Sequence, residues 1–325
     1  MKYQGKDLAT FPRQIQFVLK NYERHNLKIS DFDNIIICGL GGSGIAGRFI
    51  KTSTFLNFPV PIEVVSGYEV PAYAGPRTLA IQCSYSGNTE ETLSMYAASK
   101  QKGAKMLCIA TGGKLEELAN QDNIQFYRAE KGYQPRMALG YPLTYLFLIF
   151  DELTGTNNGA ELENAARILS NEKEYIDQAT ELLEQVKPHF PKKFVVITDY
   201  AGSATGLRFC QQLQENTKIE AFLVELPESN HNVIESYYGK LDSIYFFINT
   251  HSNPRTDLRF TFIRDLLEGS GDVIFDIDFD AKNLTEMLQK VYVLDWLTLL
   301  LADHAGKVSS DIRNINALKN YLSER

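Results

Sequence analysis

The sequence predicts an α/β protein made of two similar halves, each a parallel sheet flanked by helices. Short apolar runs alternate with helix-compatible stretches along most of the chain, and one strand–turn–helix pattern recurs 160 positions after its first appearance. Alternating strands and helices favour parallel sheets, because each helix carries the chain back to the same edge before the next strand begins. With 325 residues, and typical domains of roughly 100 to 200 residues, the chain has room for two such domains.

The first half begins with an amphipathic helix, predicted over 11–27, and continues with strands that end in glycine-rich or polar turns. Strands are predicted at 34–38, 62–65, 78–83, 105–110 and 124–127, and helices at 45–56, 88–102 and 115–120. The apolar segment 142–153 predicts a buried helix. The Gly-Thr-Asn-Asn-Gly segment at 155–159 indicates a junction, so the two predicted domains are 1–155 and 156–325.

A long polar helix, predicted over 160–186, leads into the second half. Strands are predicted at 193–198, 219–224, 243–249 and 272–277, and two closing helices at 284–302 and 310–322. The internal repeat aligns residues 35–37 with 195–197, and the Gly-Ser pair at 42–43 with the pair at 202–203. Any strand, Gly-Ser turn and helix would look similar, but the repeat favours two related halves.

Composition and charge argue against several classes of function. A formal net charge of −7 disfavours a nucleic-acid-binding protein, because such proteins present a basic face to the phosphates. The first ten residues contain Lys2, Lys6 and Asp7 and no apolar run of the length that a signal peptide or a membrane span needs. We therefore expect a cytoplasmic protein with neither a nucleic acid nor a membrane as its partner.

The cysteines and histidines predict neither a disulfide nor a metal site. The four cysteines are far apart, and three lie in or at the end of strand-like runs, which indicates reduced, buried thiols: Cys38, Cys83, Cys108 and Cys210. The sequence has no CxxC pair, and its five histidines show no ligand spacing.

A glycine-rich turn, residues 39–44, follows the first predicted strand and precedes a helix. Its residues Gly39, Gly41 and Gly44 satisfy the bare GxGxxG spacing of dinucleotide-binding proteins. The acidic residue of that fingerprint is not in the usual register, because Glu63 lies inside the next strand rather than at its end. A tight connection without a ligand remains open, although a ligand site is favoured.

A more specific signal follows the third predicted strand, where Ser84, Ser86 and Thr89 surround Gly87 just before a helix. Hydroxyl donors beside the unpaired amides of a helix start suit a dianionic phosphate, and a glycine lets the backbone approach it closely. The alternative is N-capping of the helix by Ser86 or Asn88. Capping explains one of these side chains but not three, so the segment favours phosphate binding.

Together these two turns resemble the sugar isomerase (SIS) domain, a flavodoxin-like module that binds phosphosugars. The two segments are Gly41-Gly42-Ser43-Gly44 and Ser84-Tyr85-Ser86-Gly87-Asn88-Thr89. Further blocks resemble the bifunctional phosphoglucose/phosphomannose isomerases, in the family's order: Gln134-Pro135-Arg136 with Ala138-Leu139-Gly140, Glu215-Asn216-Thr217-Lys218, Ser229-Asn230-His231-Asn232 and Ile315-Asn316-Ala317-Leu318-Lys319. The resemblance extends from residue 35 to 322 and implies two flavodoxin-like SIS subdomains.

Such an isomerase moves a proton between C1 and C2 of a ring-opened sugar phosphate through an enediolate, and the resemblance implies a residue for each task. Glu215 is the implied base, Arg136 the cation that stabilises the enediolate oxygens, and His231 the group that opens the ring. Lys319 would assist proton transfer at the sugar oxygens. The residues implied to hold the phosphate are Gly42, Ser43, Ser84, Ser86 and Thr89.

The resemblance also implies a homodimer with shared active sites, in which the neighbouring subunit supplies the segment with His231, and it implies no metal or organic cofactor. The chain departs from the family at Ser229 and Val233, where a hydrophobic and an acidic residue usually flank Asn-His-Asn. Two other functions stay open: an isomerase or lyase for another phosphosugar, such as an amino or pentose phosphate, and a non-catalytic phosphosugar sensor.

Overall fold

A computed structural model describes residues 5–324 of the chain. Each half of these residues forms its own parallel sheet. The contacts divide these residues into two units. The first unit contains residues 7–171 and 282–288, and the second unit contains the remaining described residues, 5–6, 172–281 and 289–324. The predicted junction, 155–159, connects two helices of the first unit, and the domain boundary at 155 stays a prediction.

The first sheet has five parallel strands. These are β1 (Asn34–Cys38), β2 (Ile62–Val65), β3 (Thr78–Cys83), β4 (Lys105–Ala110) and β5 (Phe126–Arg128). They lie in the order β2-β1-β3-β4-β5. Every residue of β3 is buried, as expected for the middle strand of a parallel sheet that is covered on both faces. The first four strands have the predicted bounds, and β5 begins two residues later than predicted.

The described residues of the first half contain six α-helices. They are α1 (Phe11–Asn21), α2 (Gly41–Thr54), α3 (Glu90–Gln101), α4 (Gly113–Gln121), α5 (Gly140–Thr154) and α6 (Gly159–Leu169). The prediction of a buried helix over 142–153 is confirmed, because most residues of α5 are inaccessible to solvent. Among the described residues, no helix combines the length and apolarity that crossing a membrane requires.

The second sheet has four parallel strands: β6 (Lys193–Thr198), β7 (Ala221–Glu225), β8 (Ser243–Ile248) and β9 (Val273–Asp276). The helices of this half are α7 (Glu172–Val186), α8 (Ser203–Thr217), α9 (Pro254–Gly269), α10 (Leu284–His304) and α11 (Arg313–Ser323). The strand order β7-β6-β8-β9 repeats that of the first four strands of the first sheet. The repeated segments β1–α2 and β6–α8 therefore hold equivalent places, which agrees with two related halves.

The opening helix, predicted over 11–27, ends at Asn21, and the helix predicted over 45–56 spans Gly41–Thr54. Two further differences are larger. The single helix predicted over 160–186 is wrong: α6 ends at Leu169 and α7 begins at Glu172. The hydroxyl of Ser170 donates a hydrogen bond to the carbonyl of Ala166 at 2.8 Å. Serine and asparagine favour such local side-chain hydrogen bonds over continuation of a helix. The helix α9 was not predicted, because charged residues interrupt its apolar positions.

The four cysteines are free and buried in the structure, which confirms the predicted reduced thiols. Cys38, Cys83 and Cys108 lie on β1, β3 and β4, and Cys210 lies on α8. Burial raises the pKa of Cys38 and of Cys210 to about 12. These thiols stay protonated at neutral pH and have little nucleophilic reactivity.

Both sheets contain a topological switch point. In the first sheet β1 lies between β2 and β3, and in the second sheet β6 lies between β7 and β8. At such a point, connections on the two sides run to opposite faces of the sheet, which leaves a crevice at the carboxyl ends of the strands. Ligands of open α/β sheets bind in this crevice, so each sheet offers one such place.

Candidate functional site

The switch point of the first sheet lies beside two helix starts without a side-chain cap. The helix α2 begins at Gly41, directly after β1, and α3 begins at Glu90, shortly after β3. Neither N-cap residue, Leu40 or Thr89, accepts a hydrogen bond from its helix through its side chain. Because the first amides of a helix lack partners within the helix, two such starts at one place favour the binding of an anion.

Four predicted hydroxyls converge at this place. The amide of Tyr85 donates to Ser43 Oγ across 3.2 Å, which joins the turn after β1 to the loop after β3. Within that loop, the Gly87 amide donates to Ser84 Oγ at 3.1 Å and the Asn88 amide donates to Ser86 Oγ at 3.2 Å. Ser84 Oγ and Thr89 Oγ1 are 2.8 Å apart. We call residues 84–89 with Ser43 the phosphate cradle.

The hydrogen bonds of the phosphate cradle leave hydroxyl protons for a ligand. The oxygens of Ser43 and Ser86 accept from backbone amides, so their protons can turn toward a bound anion. The capping alternative is wrong for Ser86 and Asn88: neither caps α3, and Asn88 Oδ1 instead accepts from the amide of Lys114, 2.8 Å away. The cradle therefore has the donors that a phosphate needs.

Two glycines allow the cradle to approach its neighbours. Gly87 has φ +71°, and a Cβ atom there would lie 1.7 Å from the carbonyl oxygen of Gly112. A Cβ atom on Gly42 would lie 2.9 Å from the carbonyl oxygen of Pro135. Gly87 and Gly42 thus each lie against the backbone of another segment, with no space for a side chain. The Gly112-Gly113 turn was missed by sequence reasoning, although a glycine pair after a strand was its visible signal.

We expect Gly87→Ala to weaken the binding of inorganic phosphate by roughly 10- to 100-fold, since the cradle must shift and lose charge-assisted hydrogen bonds. The measurement is isothermal titration calorimetry on protein whose circular dichroism shows it folded. Gly67→Ala is the matched control, because a Cβ atom at Gly67 meets nothing within 4 Å. Unchanged affinity in Gly87→Ala would show that phosphate does not bind at this loop.

Arg136 lies against the cradle. It sits in a short 3-10 helix, Pro135–Met137, and is 6% exposed. Its Cα would lie 3.3 Å from a Cβ atom on Gly42. The apolar helix α5 begins four residues after Arg136, at Gly140. Arg136 is thus a buried residue whose backbone lies beside the turn that carries Ser43, and a guanidinium can stabilise negative charge on a ligand.

Two residues that sequence reasoning missed form hydrogen bonds to the segments on either side of Arg136. Gln14 on α1 is fully buried; its amide nitrogen donates to Met137 O at 2.9 Å, and its amide oxygen accepts from Gly140 N at 3.0 Å. Tyr85 of the cradle donates to the carbonyl of Glu130 at 3.0 Å and accepts from the Tyr133 amide at 3.0 Å. Burial raises the pKa of Tyr85, so this hydroxyl keeps its proton.

The remaining predicted catalytic residues lie in the second unit. Glu215, near the end of α8, lines a cleft of about 620 Å³ together with residues 306–308 and 311–315. Lys218 closes one side of this cleft by donating to Asp311 O, 2.6 Å away. The helix α11 starts in the cleft and carries Lys319, which is exposed. The Glu215 cleft can therefore receive a ligand of the size of a hexose phosphate.

His231 ends a 3-10 helix, Glu228–His231, and is exposed to solvent. It is not among the residues that line the Glu215 cleft. The structure thus brings together the predicted phosphate residues and Arg136 in the first unit, and places Glu215, His231 and Lys319 on the second unit. Among residues 5–324, no three His, Cys, Asp or Glu side chains are arranged to hold a metal ion.

Comparison with known proteins agrees with this division. A family model described as the SIS domain matches residues 28–140, and one described as the bacterial phospho-glucose isomerase C-terminal SIS domain matches residues 177–322. A bifunctional phosphoglucose/phosphomannose isomerase from Caldicellulosiruptor bescii is 32% identical to this chain over 98% of both sequences. This chain belongs to the bifunctional phosphoglucose/phosphomannose isomerase family. The resemblance stated from the sequence motifs is therefore confirmed.

Two further proteins, one compared by sequence and one by structure, are also similar to this chain. A D-glucosamine-6-phosphate 4-epimerase from Sulfolobus acidocaldarius is 32% identical, over 63% of this chain and 64% of the epimerase. A solved structure from Clostridium difficile, assigned as a phosphosugar isomerase, superposes with a TM-score of 0.75, 17% identity and coverage of 98% of both chains. The superposition confirms the predicted fold class, a pair of parallel α/β subdomains as in the SIS fold.

Proposed function

We propose that this chain interconverts glucose 6-phosphate, and also mannose 6-phosphate, with fructose 6-phosphate through an enediolate intermediate. The observation that carries this proposal is the near full-length similarity to bifunctional isomerases, combined with a buried arginine against a four-hydroxyl phosphate cradle. A regulator of the sensor type would bind a phosphosugar without needing such an arginine. The proposed place of action is the cytoplasm.

The phosphate cradle orients the substrate in this mechanism. The amides at the starts of α2 and α3 and the hydroxyls of Ser43, Ser84, Ser86 and Thr89 would bind the 6-phosphate, with Gly42 giving the backbone room. Phosphate lies at the far end of the open-chain sugar from C1 and C2. Its binding energy therefore fixes the reacting carbons against the catalytic groups without taking part in the reaction.

Glu215 is the proposed base. Its carboxylate would remove the proton from C2 of the aldose, and the electron pair of that C–H bond would form the C1–C2 double bond of the enediolate as the C1 carbonyl becomes an oxyanion. Delivery of a proton from the Glu215 carboxyl to C1, while O2 loses its proton and O1 gains one, gives the ketose, so no oxidant or reductant is consumed. Arg136 would stabilise the enediolate oxygens through its fork of donors.

His231 and Lys319 complete the proposal. The imidazole of His231, which can donate and accept protons, would protonate the ring oxygen while the anomeric hydroxyl loses its proton, which opens the ring before the proton transfer between carbons. Lys319 would assist proton transfer at the sugar oxygens. Both residues are exposed within their own unit, as expected for side chains that complete a site only when another surface approaches.

A homodimer with shared sites is supported by an exposed apolar face on α11. Ile315, Leu318 and Leu322 follow helical spacing and are 39%, 58% and 43% exposed. Such a stripe is typical of a helix that packs on another surface. We therefore propose that two copies of the chain associate and that His231 acts in the site of the neighbouring copy.

Mixed dimers test this sharing. We expect Glu215→Gln and His231→Gln proteins, each inactive alone, to recover about a quarter of the wild-type activity when subunits are exchanged, since half of the dimers then contain one intact site. Activity is measured before and after a denaturation and refolding cycle of the equimolar mixture. No recovery in a mixture that forms mixed dimers would place both residues of a site on one chain.

The proposed activity is tested by a coupled assay of EDTA-treated protein on fructose 6-phosphate, with glucose 6-phosphate and mannose 6-phosphate as the products measured. Formation of both products supports the bifunctional isomerase. The similarity to a glucosamine 6-phosphate epimerase favours an amino-sugar phosphate as the second candidate substrate class. Turnover of glucosamine 6-phosphate without turnover of fructose 6-phosphate would transfer the assignment to that class.

A further inference from the structure

The second sheet repeats the architecture of the phosphate cradle at its own switch point. The helix α8 begins at Ser203, 160 positions after Ser43, directly after β6. The loop 249–253 follows β8 and precedes α9, as the loop 84–89 follows β3 and precedes α3. The same topology thus brings a helix start and a hydroxyl-bearing loop together for a second time.

A carboxylate lies between the helix start and the loop at the switch point of the second sheet. Asp199 is 3% exposed, and its Oδ1 accepts a hydrogen bond from the amide of Gly202 at 2.9 Å. Its Oδ2 accepts from the hydroxyls of Thr250 and Ser252 at 2.5 and 2.8 Å. The residue 160 positions earlier is Gly39, which has no side chain to place in the first cradle.

These partners of Asp199 are the donors that bind a phosphate in such a crevice: an amide at a helix start and hydroxyls of the following loop. We propose that Asp199 is an internal anion that closes a second phosphate cradle, and that emptying the space filled by its carboxyl group opens a site for inorganic phosphate in the second unit. The wild-type chain accordingly binds a single phosphate group, in the first unit.

A free phosphate cannot displace this carboxylate for two physical reasons. The carboxylate is attached to the cradle by its own backbone, so its binding costs no translational entropy, whereas a phosphate in solution must lose that freedom. A dianion brought within a few ångströms of the buried carboxylate would also be repelled by a like charge in a weakly polar surrounding.

Inorganic phosphate tests the inference by calorimetry on the wild-type chain, Asp199→Gly and Asp199→Asn. We expect Asp199→Gly to bind one more phosphate per chain than the wild type. Asp199→Asn is the matched control: it keeps the volume and an acceptor for Gly202, so it should gain no site. A wild-type chain that binds two phosphates, or a folded Asp199→Gly protein that gains none, would overturn the inference and leave Asp199 as a helix cap alone.

Asp199→Ser covers the case in which the glycine variant does not fold. A serine can still accept from the Gly202 amide but is too short to fill the cradle, so the same gain of one phosphate is expected, and a folded Asp199→Ser protein without it would overturn the inference. The result is separate from the proposed function. If the first cradle does not bind phosphate, the wild-type chain binds none. The second cradle is tested by the difference in the number of bound phosphates between the variant and the wild type.

Discussion

Glu215→Gln is expected to lower kcat on fructose 6-phosphate by about 10²- to 10⁴-fold, the range that general acid–base catalysis contributes. Glutamine has nearly the same shape but accepts no proton from carbon, so the KM should change little. Steady-state kinetics on both substrates measures the effect. The loss should be equal in the two directions of the reaction, because one group removes and returns the proton.

The control for this variant is Glu220→Gln, an exposed glutamate just beyond the end of α8. It removes the same charge close to the same helix and should leave kcat within about twofold of wild type, since an exposed surface substitution has little effect. If Glu215→Gln also keeps near-normal turnover, Glu215 is not the base and the proton transfer belongs to another carboxylate.

Arg136→Met is the second substitution for which we expect a large loss of activity. We expect kcat to fall by about 10²- to 10³-fold, the cost of removing one preorganised donor from a developing oxyanion. The affinity for inorganic phosphate should change much less, because the cradle hydroxyls and helix starts hold the phosphate without this guanidinium. Kinetics and phosphate calorimetry on the same preparation separate the two readouts.

Arg48→Met on α2 serves as the control, because Arg48 is exposed and lies on the helix that starts at the cradle. Its kcat and phosphate affinity should both stay near those of the wild type. Should Arg136→Met lose phosphate affinity in proportion to its loss of turnover, Arg136 binds the phosphate and some other group stabilises the enediolate.

Most strands could be predicted from the sequence, because they are short, mostly apolar runs between turns. Residues 34–38, 62–65, 78–83, 105–110 and 193–198 form strands with the predicted bounds, since short apolar runs between turns have few other solutions in a parallel sheet. The break between α6 and α7 was not predicted, because periodic burial continues on both sides of Ser170 and only a local hydrogen bond marks the end.

The local part of the candidate site was also predictable. The hydroxyls of Ser84, Ser86 and Thr89 occur within one loop, so the phosphate signal is visible in six consecutive residues. Gln14 was not predictable, because it acts on Met137 and Gly140 more than 120 positions away and looks like an ordinary helical residue. Contacts of that separation are set by the packing of α1 on α5, which no local pattern encodes.

The catalytic candidates Glu215, His231 and Lys319 were predictable only in part. Their residue types and order along the chain carry the family resemblance, but each is separated from the others by loops and helices of the second unit. A single glutamate on a helix has no local signal that distinguishes a base from a solvated charge. Their roles therefore stay predictions; Glu215→Gln and the mixed dimers test those of Glu215 and His231.

The most direct test of the enediolate isomerase is proton NMR of fructose 6-phosphate incubated with the EDTA-treated enzyme in D₂O. We predict that glucose 6-phosphate and mannose 6-phosphate both form and that both carry deuterium at C2, because a base that exchanges with solvent delivers the proton to that carbon. Products without any deuterium at C2, or no aldose phosphate at all, would contradict the account.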